Sequence, residues 1–411
     1  MLVGGVNSPV RSMWAIGRSP LFIDRGAGAE IVDVDGNRYV DYVCSWGPLI
    51  AGHAEPSVVA AVVAAAARGT SYGAPTEGEV LLAEEVARRM PGAEVMRMTS
   101  SGTEAAMTAL RVARAYTARE VVIKFAGAYH GHSDGLLAQA GSGLLTQGIP
   151  ASPGVPRGAA AATVVVPWND REALVAASER DDLAGIIAEP CPANMGLIPP
   201  APGFLELLRE RADRAGALLI FDEVISGFRV GRGGAGARAG VQADLVILGK
   251  IIGGGLPAAA LGGSRQLMEL LAPAGDVYQA GTLSGNPVAV AAGLATLALL
   301  DDAAYARLDA TTEALAHGLR AAAEGLPVSV VATTGLLTVF FAAQAPRNLP
   351  EAQACDQASY GRFCQELLAR GVYAPPSQFE AWFPSLAHRD EHIERTIAAA
   401  HAAFTAVGAR S

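Results

Sequence analysis

Short apolar runs alternate with longer alanine-rich stretches through most of this chain. The short runs predict buried strands, and the stretches between them predict helices. The predicted strands are 95–99, 121–125, 163–167, 185–188, 217–221 and 245–248, and the predicted helices include 56–67, 77–90, one from about 105, and 203–215. Strands that alternate with helices predict an α/β fold, in which a mostly parallel sheet is covered by helices on both faces.

The two ends of the chain follow a different pattern. Residues 30–41 alternate around Asp35-Gly36, which predicts a hairpin. The C-terminal part predicts helices at 288–300, 303–324, 355–369 and from about 390, with strands at 336–342 and 372–373. We therefore expect an N-terminal segment (1–47) that packs with a small domain, a large ligand-binding domain (48–287) and a C-terminal small α+β domain (288–411).

The composition argues against several classes of partner. The 411 residues are 51% hydrophobic and 17% charged, with a net charge of −9, so no basic face for nucleic acid is expected. The longest apolar runs, 58–67 and 288–300, are too short to span a bilayer, and the N-terminus has no signal-peptide pattern. Four cysteines without a C-x-x-C spacing predict reduced thiols in a cytoplasmic protein, with a disulfide as the alternative.

Lys250 has an unusual position in the pattern. It follows the apolar run 245–248 and precedes the glycine-rich Gly253-Gly254-Gly255. A lysine in such a place can be desolvated, which lowers the pKa of its amine and makes it nucleophilic. Taken alone, a strand-end lysine that reaches water explains the same pattern.

Two further strand ends carry polar groups. Asp222 follows the apolar run 217–221, and in open parallel sheets ligands bind outside the carboxyl ends of the strands. After the strand 95–99, Ser101-x-x-Glu104 fits a capping box, and Ser101, Gly102 and Thr103 would face the positive end of a helix dipole. That turn suits a phosphate, although an ordinary capped helix would have the same sequence.

Other candidates lie in loops. Tyr129 is flanked by glycines and could stack on a flat ring, or it could be a plain core tyrosine. His130 and His132 lack a third ligand at useful spacing, so we expect no metal. Arg11 is either a surface arginine or a guanidinium for a substrate carboxylate. The Gly/Pro/Ser-rich stretch 141–156 has the composition of a lid.

One cofactor would use these features together. Pyridoxal 5'-phosphate needs a Schiff-base lysine, a carboxylate on its pyridine nitrogen, a phosphate site and a flat neighbour. Lys250, Asp222, the 101–103 turn and Tyr129 provide one each.

Longer motifs extend this interpretation. The chain resembles the class III aminotransferases, which are fold-type-I enzymes of pyridoxal 5'-phosphate, through SSGTEA (100–105), DEVISGFR (222–229) and GKIIGGGLP (249–257). Within that group GGVNSPVR (4–11) and VYQAGTLSGNP (277–287) are similar to the glutamate-1-semialdehyde 2,1-aminomutases. The resemblance extends from residue 4 almost to the C-terminus.

The resemblance implies roles by matched position. Lys250 would be the Schiff-base lysine and proton carrier, Asp222 would pair with the pyridine nitrogen, and Tyr129 and Val224 would lie on opposite faces of the ring. The remaining implied cofactor residues are Ser101, Gly102, Thr103, His130, Asn194 and, reaching the phosphate of the partner subunit, Thr282. The implied substrate residues are Ser8, Arg11, Trp46, Ser142 and Glu380.

The resemblance also implies a reaction. Pyridoxamine or pyridoxal 5'-phosphate would serve an internal amino shift that turns glutamate-1-semialdehyde into 5-aminolevulinate, a tetrapyrrole precursor. A diamine intermediate would stay bound behind the 141–156 loop. A homodimer in the cytoplasm and an association with glutamyl-tRNA reductase are further expectations of the same kind.

Two alternatives remain. A class III transaminase acting on a β- or ω-amino acid would share the cofactor residues and would need an external keto acid. A fold relative kept as a binding or regulatory module would have lost Lys250 or Asp222, and both are present. Ser100 stands where many relatives have asparagine and Trp382 where many have glycine, and we expect Trp382, beside Glu380, to reshape the substrate pocket.

Overall fold

The computed structural model describes residues 1–139 and 149–408. Its strands are β1 (Ile23–Ala27), β2 (Glu30–Asp33), β3 (Arg38–Asp41), β4 (Val95–Thr99), β5 (Val121–Phe125), β6 (Ala138–Gln139), β7 (Ile149–Pro150), β8 (Thr163–Val166), β9 (Leu183–Ala188), β10 (Leu218–Asp222), β11 (Leu245–Leu248), β12 (Ala259–Gly263), β13 (Ser329–Thr333), β14 (Leu336–Phe340) and β15 (Val372–Tyr373).

The α-helices follow the same chain order. They are α1 (Pro56–Ala66), α2 (Glu77–Arg89), α3 (Gly102–Thr117), α4 (Arg157–Ala161), α5 (Arg171–Ser178), α6 (Phe204–Ala215), α7 (Gly234–Arg238), α8 (Arg265–Met268), α9 (Pro287–Ala298), α10 (Asp302–Ala322), α11 (Leu349–Gln353), α12 (Gln357–Ala369) and α13 (Asp390–Gly408). Short 3₁₀ helices include Pro9–Ser12, Cys44–Trp46 and Lys250–Gly253.

A seven-stranded sheet forms the centre of the molecule. Its order is β4-β12-β11-β10-β9-β5-β8. The neighbouring pairs from β11 to β8 are parallel, whereas β12 runs antiparallel to both β11 and β4. The predicted α/β fold with a mostly parallel sheet is therefore confirmed. The sequence did not indicate β12, because its Ala-Ala-Leu-Gly-Gly segment lacks the β-branched and aromatic residues typical of strands.

Helices cover both faces of this sheet, which explains why its inner strands are apolar at every position. All residues of β9 and β11 are buried. Helix α3 packs on one face through a stripe of small residues that includes Ala105 and Ala109. On the other face, α5 and α6 contribute Leu174 and Leu208 to the largest core cluster. Strands buried on two faces cannot alternate apolar and polar residues.

The N-terminal strands join a strand from the far end of the chain. The second sheet has the order β1-β2-β3-β15, and β15 pairs in parallel with β3 through Val372 opposite Val40. The residues of β3 beyond Arg38 are buried. The division into three segments, at 47/48 and 287/288, stays a prediction.

A membrane-spanning helix needs both sufficient length and a continuous apolar sequence. Among the described residues, no single helix combines the length and apolar content needed to cross a membrane. Helices α9 and α10 satisfy both requirements only when taken together, and they are bent by 80° at their junction.

Candidate active site

Lys250 lies two residues beyond the end of β11. Its backbone is left-handed, with φ of 50°, and it begins the 3₁₀ helix Lys250–Gly253. Burial lowers the pKa of the Lys250 amine to about 8, although the nearby carboxylates of Glu380, Glu189 and Asp222 act in the opposite direction. A substantial fraction of this amine is therefore neutral near pH 8, as a nucleophile or a proton carrier requires.

The amine faces a cavity of about 370 Å³. The cavity lies where β10 and β11, a parallel pair, both end, and where α3 begins. Ligands of open α/β sheets bind at such edges. Its lining residues are Pro48, Ser100, Ser101, Gly102, Thr103, Tyr129, His130, Gly131, Glu189, Asn194, Asp222, Val224, Ile225, Lys250, Gly255, Leu256, Pro257 and Ala258.

Asp222 is held by two neighbours at the bottom of the cavity. One of its carboxylate oxygens lies 2.7 Å from Nδ1 of His130, and the other accepts a hydrogen bond of 3.0 Å from the backbone N–H of Val224. His130 is buried, with 2% exposure. Neither histidine of the 130–132 pair belongs to a metal-type cluster among the described residues. The structure thus assigns His130 to orienting Asp222.

Glu189 is a site residue whose role the sequence did not reveal. It is buried at the end of β9, and burial raises the pKa of its carboxyl. Its oxygens accept hydrogen bonds from the backbone N–H of Tyr129 (3.0 Å), from the backbone N–H of Ala193 (3.1 Å) and from the side chain of Asn194 (2.9 Å). The sequence contains the same signal for Glu189 as for Asp222, since both acids come directly after an apolar run.

The predicted phosphate turn is a capping box. Ser101 caps α3, and the Glu104 carboxylate accepts the backbone N–H groups of Ser100 at 2.7 Å and Ser101 at 2.9 Å. A Cβ added to Gly102 would lie 3.2 Å from a methyl carbon of Val224, so the turn approaches the cavity closely only because Gly102 has no side chain. The first turn of this 16-residue helix supplies a positive dipole end to the cavity.

Several predicted substrate residues do not line the cavity. Ser8 and Arg11 belong to the 3₁₀ helix Pro9–Ser12 and its cap, and Arg11 is exposed. Trp46 is half-buried at the end of Cys44–Trp46. Glu380 lies near Lys250, and burial raises the pKa of its carboxyl to about 7 against the opposing charge of Lys250. Ser142 lies outside the described residues, as do residues 141–148 of the proposed lid.

Thr282 also lies away from the Lys250 cavity. It lines a separate cavity of about 330 Å³ formed by residues 71–76, Glu79, residues 281–282 and residues 284–287. Within one subunit Thr282 therefore does not contribute to the site around Lys250. Its assignment to a partner's phosphate site stays a prediction.

Trp382 differs from the expectation that it reshapes the pocket. Its side chain is fully buried, and its ring lies 5.3 Å from the ring of Tyr42 in a core cluster that contains none of the cavity-lining residues. Trp382 belongs to this core cluster although it is only two positions from Glu380. Sequence proximity to Glu380 was therefore a misleading guide.

Comparison with known proteins places the chain in a family. The model of the family "Aminotransferase class-III" matches residues 14–404. A glutamate-1-semialdehyde 2,1-aminomutase of Desulforudis audaxviator is 55% identical over 98% of this chain and 94% of that relative. A protein of the same name from Thermomicrobium roseum is 52% identical over 98% of this chain and 95% of that protein.

Solved structures show the same relationship. An ω-transaminase from Sphaerobacter thermophilus superposes with a TM-score of 0.92 at 33% identity, covering 99% of this chain and 95% of that structure. A glutamate-1-semialdehyde aminomutase from Pseudomonas aeruginosa PAO1 in complex with PMP superposes with a TM-score of 0.88 at 30% identity. The superposition covers 98% of this chain and 91% of that structure. The chain belongs to the class-III aminotransferase family, among the relatives named glutamate-1-semialdehyde 2,1-aminomutase.

Proposed function

We propose that this enzyme converts glutamate-1-semialdehyde into 5-aminolevulinate by an internal amino transfer that uses pyridoxal or pyridoxamine 5'-phosphate. The observation that carries the proposal is the 55% identity with a named aminomutase across 98% of the chain. The 406 matched residues are nearly the whole chain, so the match includes both the cofactor motifs and the segments outside them.

The residues of the cavity fit this cofactor. The cofactor's aldehyde requires an amine that is partly neutral, which Lys250 provides. Its ring nitrogen requires a carboxylate, which Asp222 provides. Its phosphate requires a helix start that it can approach closely, and Gly102, which has no side chain, provides one. When bound, the cofactor carries an amino group and accepts the electron pair of a substrate carbanion. The 370 Å³ of the cavity is within the usual range for small-molecule sites.

The protein's own groups have distinct roles in the proposal. Lys250 would hold the cofactor and would then carry protons to and from the substrate carbon that exchanges its amino group. The Asp222 carboxylate, oriented by His130, keeps a proton on the ring nitrogen. Tyr129 offers its ring to one face, and Glu189 fixes the backbone from which that ring projects.

The substrate and subunit assignments belong to the same proposal. Arg11 would bind the substrate carboxylate, with Ser8, Trp46, Ser142 and Glu380 near the substrate, as matched positions in the family imply. Thr282 would reach the phosphate of a partner subunit, which makes the active unit a homodimer. Its location outside the Lys250 cavity of its own subunit supports this arrangement.

Two further expectations stay proposals. A reducing, cytoplasmic location is supported by four cysteines that are all buried free thiols. An association with glutamyl-tRNA reductase rests on the family resemblance alone.

A class III transaminase is the second candidate. It is favoured by the TM-score of 0.92 with an ω-transaminase. Such an enzyme would share Lys250, Asp222 and Tyr129 and would differ only in needing an external amino donor and keto acid. The geometry of the cofactor residues therefore does not distinguish the two candidates. The amount of product formed per enzyme without an added amino donor or keto acid does distinguish them.

The deciding experiment measures product over many turnovers. Enzyme loaded with pyridoxamine phosphate receives glutamate-1-semialdehyde, with no keto acid and no amino donor added. Sustained 5-aminolevulinate formation supports the mutase, and Lys250→Ala should abolish it. Turnover that stops after one equivalent and resumes only with an added donor or acceptor would establish the transaminase instead.

A further inference from the structure

Arg229 is a fully buried cation without a carboxylate partner. It is 0% exposed, and it takes part in no ion pair within the part of the chain that the structure describes. Burial lowers the pKa of its guanidinium to about 10. Burying a charge without an opposite charge is costly, so its hydrogen bonds and surroundings must compensate.

The guanidinium instead connects three separate segments through their carbonyl oxygens. It donates to Gly335 at 3.1 Å, to Pro384 at 3.2 Å and, by a shorter bond, to Gly47. Its central carbon lies 5.1 Å from the centre of the Phe383 ring, a cation–π geometry. A planar fork with several fixed donors suits such a junction, whereas a lysine ammonium does not have that shape.

The Gly47 carbonyl belongs to a turn with an unusual backbone. Cys44, Ser45, Trp46 and Gly47 all have positive φ, at 44°, 57°, 67° and 116°. Left-handed conformations cost non-glycine residues about 1–3 kcal/mol each and persist only where their surroundings enforce them. We call residues 44–47 the left-handed turn.

Two side chains hold this turn from opposite ends. Asp41 accepts the backbone N–H groups of Val43 at 2.7 Å and Cys44 at 3.1 Å at its start. Arg229 holds its last carbonyl, that of Gly47. Because Asp41 is itself bonded to His53 at 2.7 Å, the first end is anchored independently of Arg229.

The end that Arg229 holds lies against Lys250. A Cβ built on Gly47 would be 3.3 Å from Cδ of Lys250 and 3.1 Å from Cε1 of Phe383. The aliphatic part of the lysine therefore packs on the backbone of the turn. A shift of the turn would open space for water beside the lysine or push its side chain out of place.

We propose that Arg229 is a positioning residue, which presses the left-handed turn against Lys250 and thereby fixes the place and the dry surroundings of its amine. This inference rests on the proposed function only in taking Lys250 as the catalytic lysine. It assigns a role to the last residue of the DEVISGFR segment, which is not among the residues that line the cavity.

The charge of Arg229 also affects the pKa of the Lys250 amine. The carboxylates of Glu380, Glu189 and Asp222 favour its protonated form, and Arg229 is the cation that opposes them. Replacing Arg229 would remove this opposing charge and admit water. Both changes favour the protonated amine, so both raise its pKa.

The test measures the reactivity of Lys250 directly. Full-length protein without cofactor is treated with an amine-reactive acylating reagent over a range of pH, and modification of the Lys250 peptide is followed by mass spectrometry. In Arg229→Gln we expect the midpoint for Lys250 to rise by about one pH unit. An unchanged midpoint in a folded Arg229→Gln protein would overturn the proposal.

Two variants distinguish a positioning role of Arg229 from an effect of its charge alone and from a nonspecific loss of stability. Arg211→Gln removes another buried guanidinium, which donates to Ser178 at 2.7 Å far from the site, and it should leave the midpoint unchanged. Arg229→Lys keeps the charge without the fork and should still raise the midpoint. Complete recovery of the wild-type midpoint by Arg229→Lys would mean that charge alone acts, which contradicts positioning.

A second pair of variants remains informative if Arg229→Gln does not fold. Gly47→Ala places a methyl group against Lys250, whereas Gly36→Ala introduces alanine at a similar positive φ, of 86°, into open space. Gly47→Ala should change the Lys250 midpoint and Gly36→Ala should not. Equal midpoints in the two proteins would show that Lys250 does not sense the turn. Amine reactivity answers this question whichever reaction the enzyme catalyses.

Discussion

The Nδ1 atom of His130 lies 2.7 Å from a carboxylate oxygen of Asp222, although the two residues are 92 positions apart in the chain. The second ring nitrogen of His130 is buried and has no partner among the described residues. His130 therefore serves Asp222 alone, and the pair presents a fixed carboxylate to the cavity beside Lys250.

Replacing this carboxylate should impair catalysis strongly. In Asp222→Asn we expect kcat for 5-aminolevulinate formation to fall by about 100-fold or more, because a preorganised charge at the reacting group is lost. The measurement is steady-state turnover with saturating cofactor. Asp302→Asn changes an acid whose side chain is 95% exposed and should leave kcat unchanged. An Asp222→Asn enzyme with wild-type kcat would exclude the proposed pairing with the ring nitrogen.

The pH profile should depend on Glu380. The pKa of the Lys250 amine is about 8, and the Glu380 carboxylate favours the protonated amine. Since the neutral amine forms as pH rises through this pKa, activity should rise with pH on that limb. Glu380→Gln removes the stabilising carboxylate, so the pKa falls and the limb moves to lower pH, by roughly half a unit.

The profile is measured as kcat/KM against pH for the wild type and the Glu380→Gln variant. Glu391→Gln replaces an acid whose side chain is 68% exposed and serves as the matched control. A limb that stays in place in Glu380→Gln, or moves to higher pH, would contradict the electrostatic coupling of Glu380 and Lys250.

Gly131 lies in a loop that packs against Thr103, in the first turn of α3, and leaves no room there for a side chain. This glycine has φ of 84°, and an added Cβ would lie 2.5 Å from Oγ1 and 2.6 Å from Cα of Thr103. Gly131→Ala should therefore displace Thr103, weaken cofactor binding at least tenfold and cost about 1–3 kcal/mol of stability. Cofactor affinity is measured by fluorescence titration and stability by denaturant unfolding.

Gly154→Ala is the control for Gly131→Ala. Gly154 has a similar φ of 90°, but a Cβ there meets nothing within 4 Å. It should show the backbone cost without loss of cofactor affinity. Similar affinity losses in the two variants would refute the role of the Gly131–Thr103 contact.

Trp382 should influence stability and leave substrate choice unchanged. Its ring is fully buried against Tyr42, so Trp382→Ala should cost about 3–5 kcal/mol in the free energy of unfolding. Trp14→Ala removes a ring that is 72% exposed and should cost less than about 0.5 kcal/mol. The ratio of kcat/KM for glutamate-1-semialdehyde to kcat/KM for other amino substrates should not change in a folded Trp382→Ala protein. A changed ratio would show that Trp382 influences the substrate pocket.

The sequence determined the strands and the residues that end them. The apolar runs that became β10 and β11 are local signals, since a strand buried on both faces needs apolar side chains at every position. Asp222 ends the first run and Lys250 lies two residues beyond the second, and the carboxyl ends of neighbouring parallel strands meet at one edge. Their convergence could therefore be inferred without coordinates, as could the capped start of α3.

The packing of distant elements selects the groups that hold that site in place. The bonds of His130 to Asp222, of Glu189 to Tyr129 and of Arg229 to Gly47 join residues between 60 and 182 positions apart. The antiparallel insertion of β12 and the burial of Trp382 were likewise hidden. Such contacts follow no helical or strand period, because they depend on how elements pack together and not on the residues next to them in the chain.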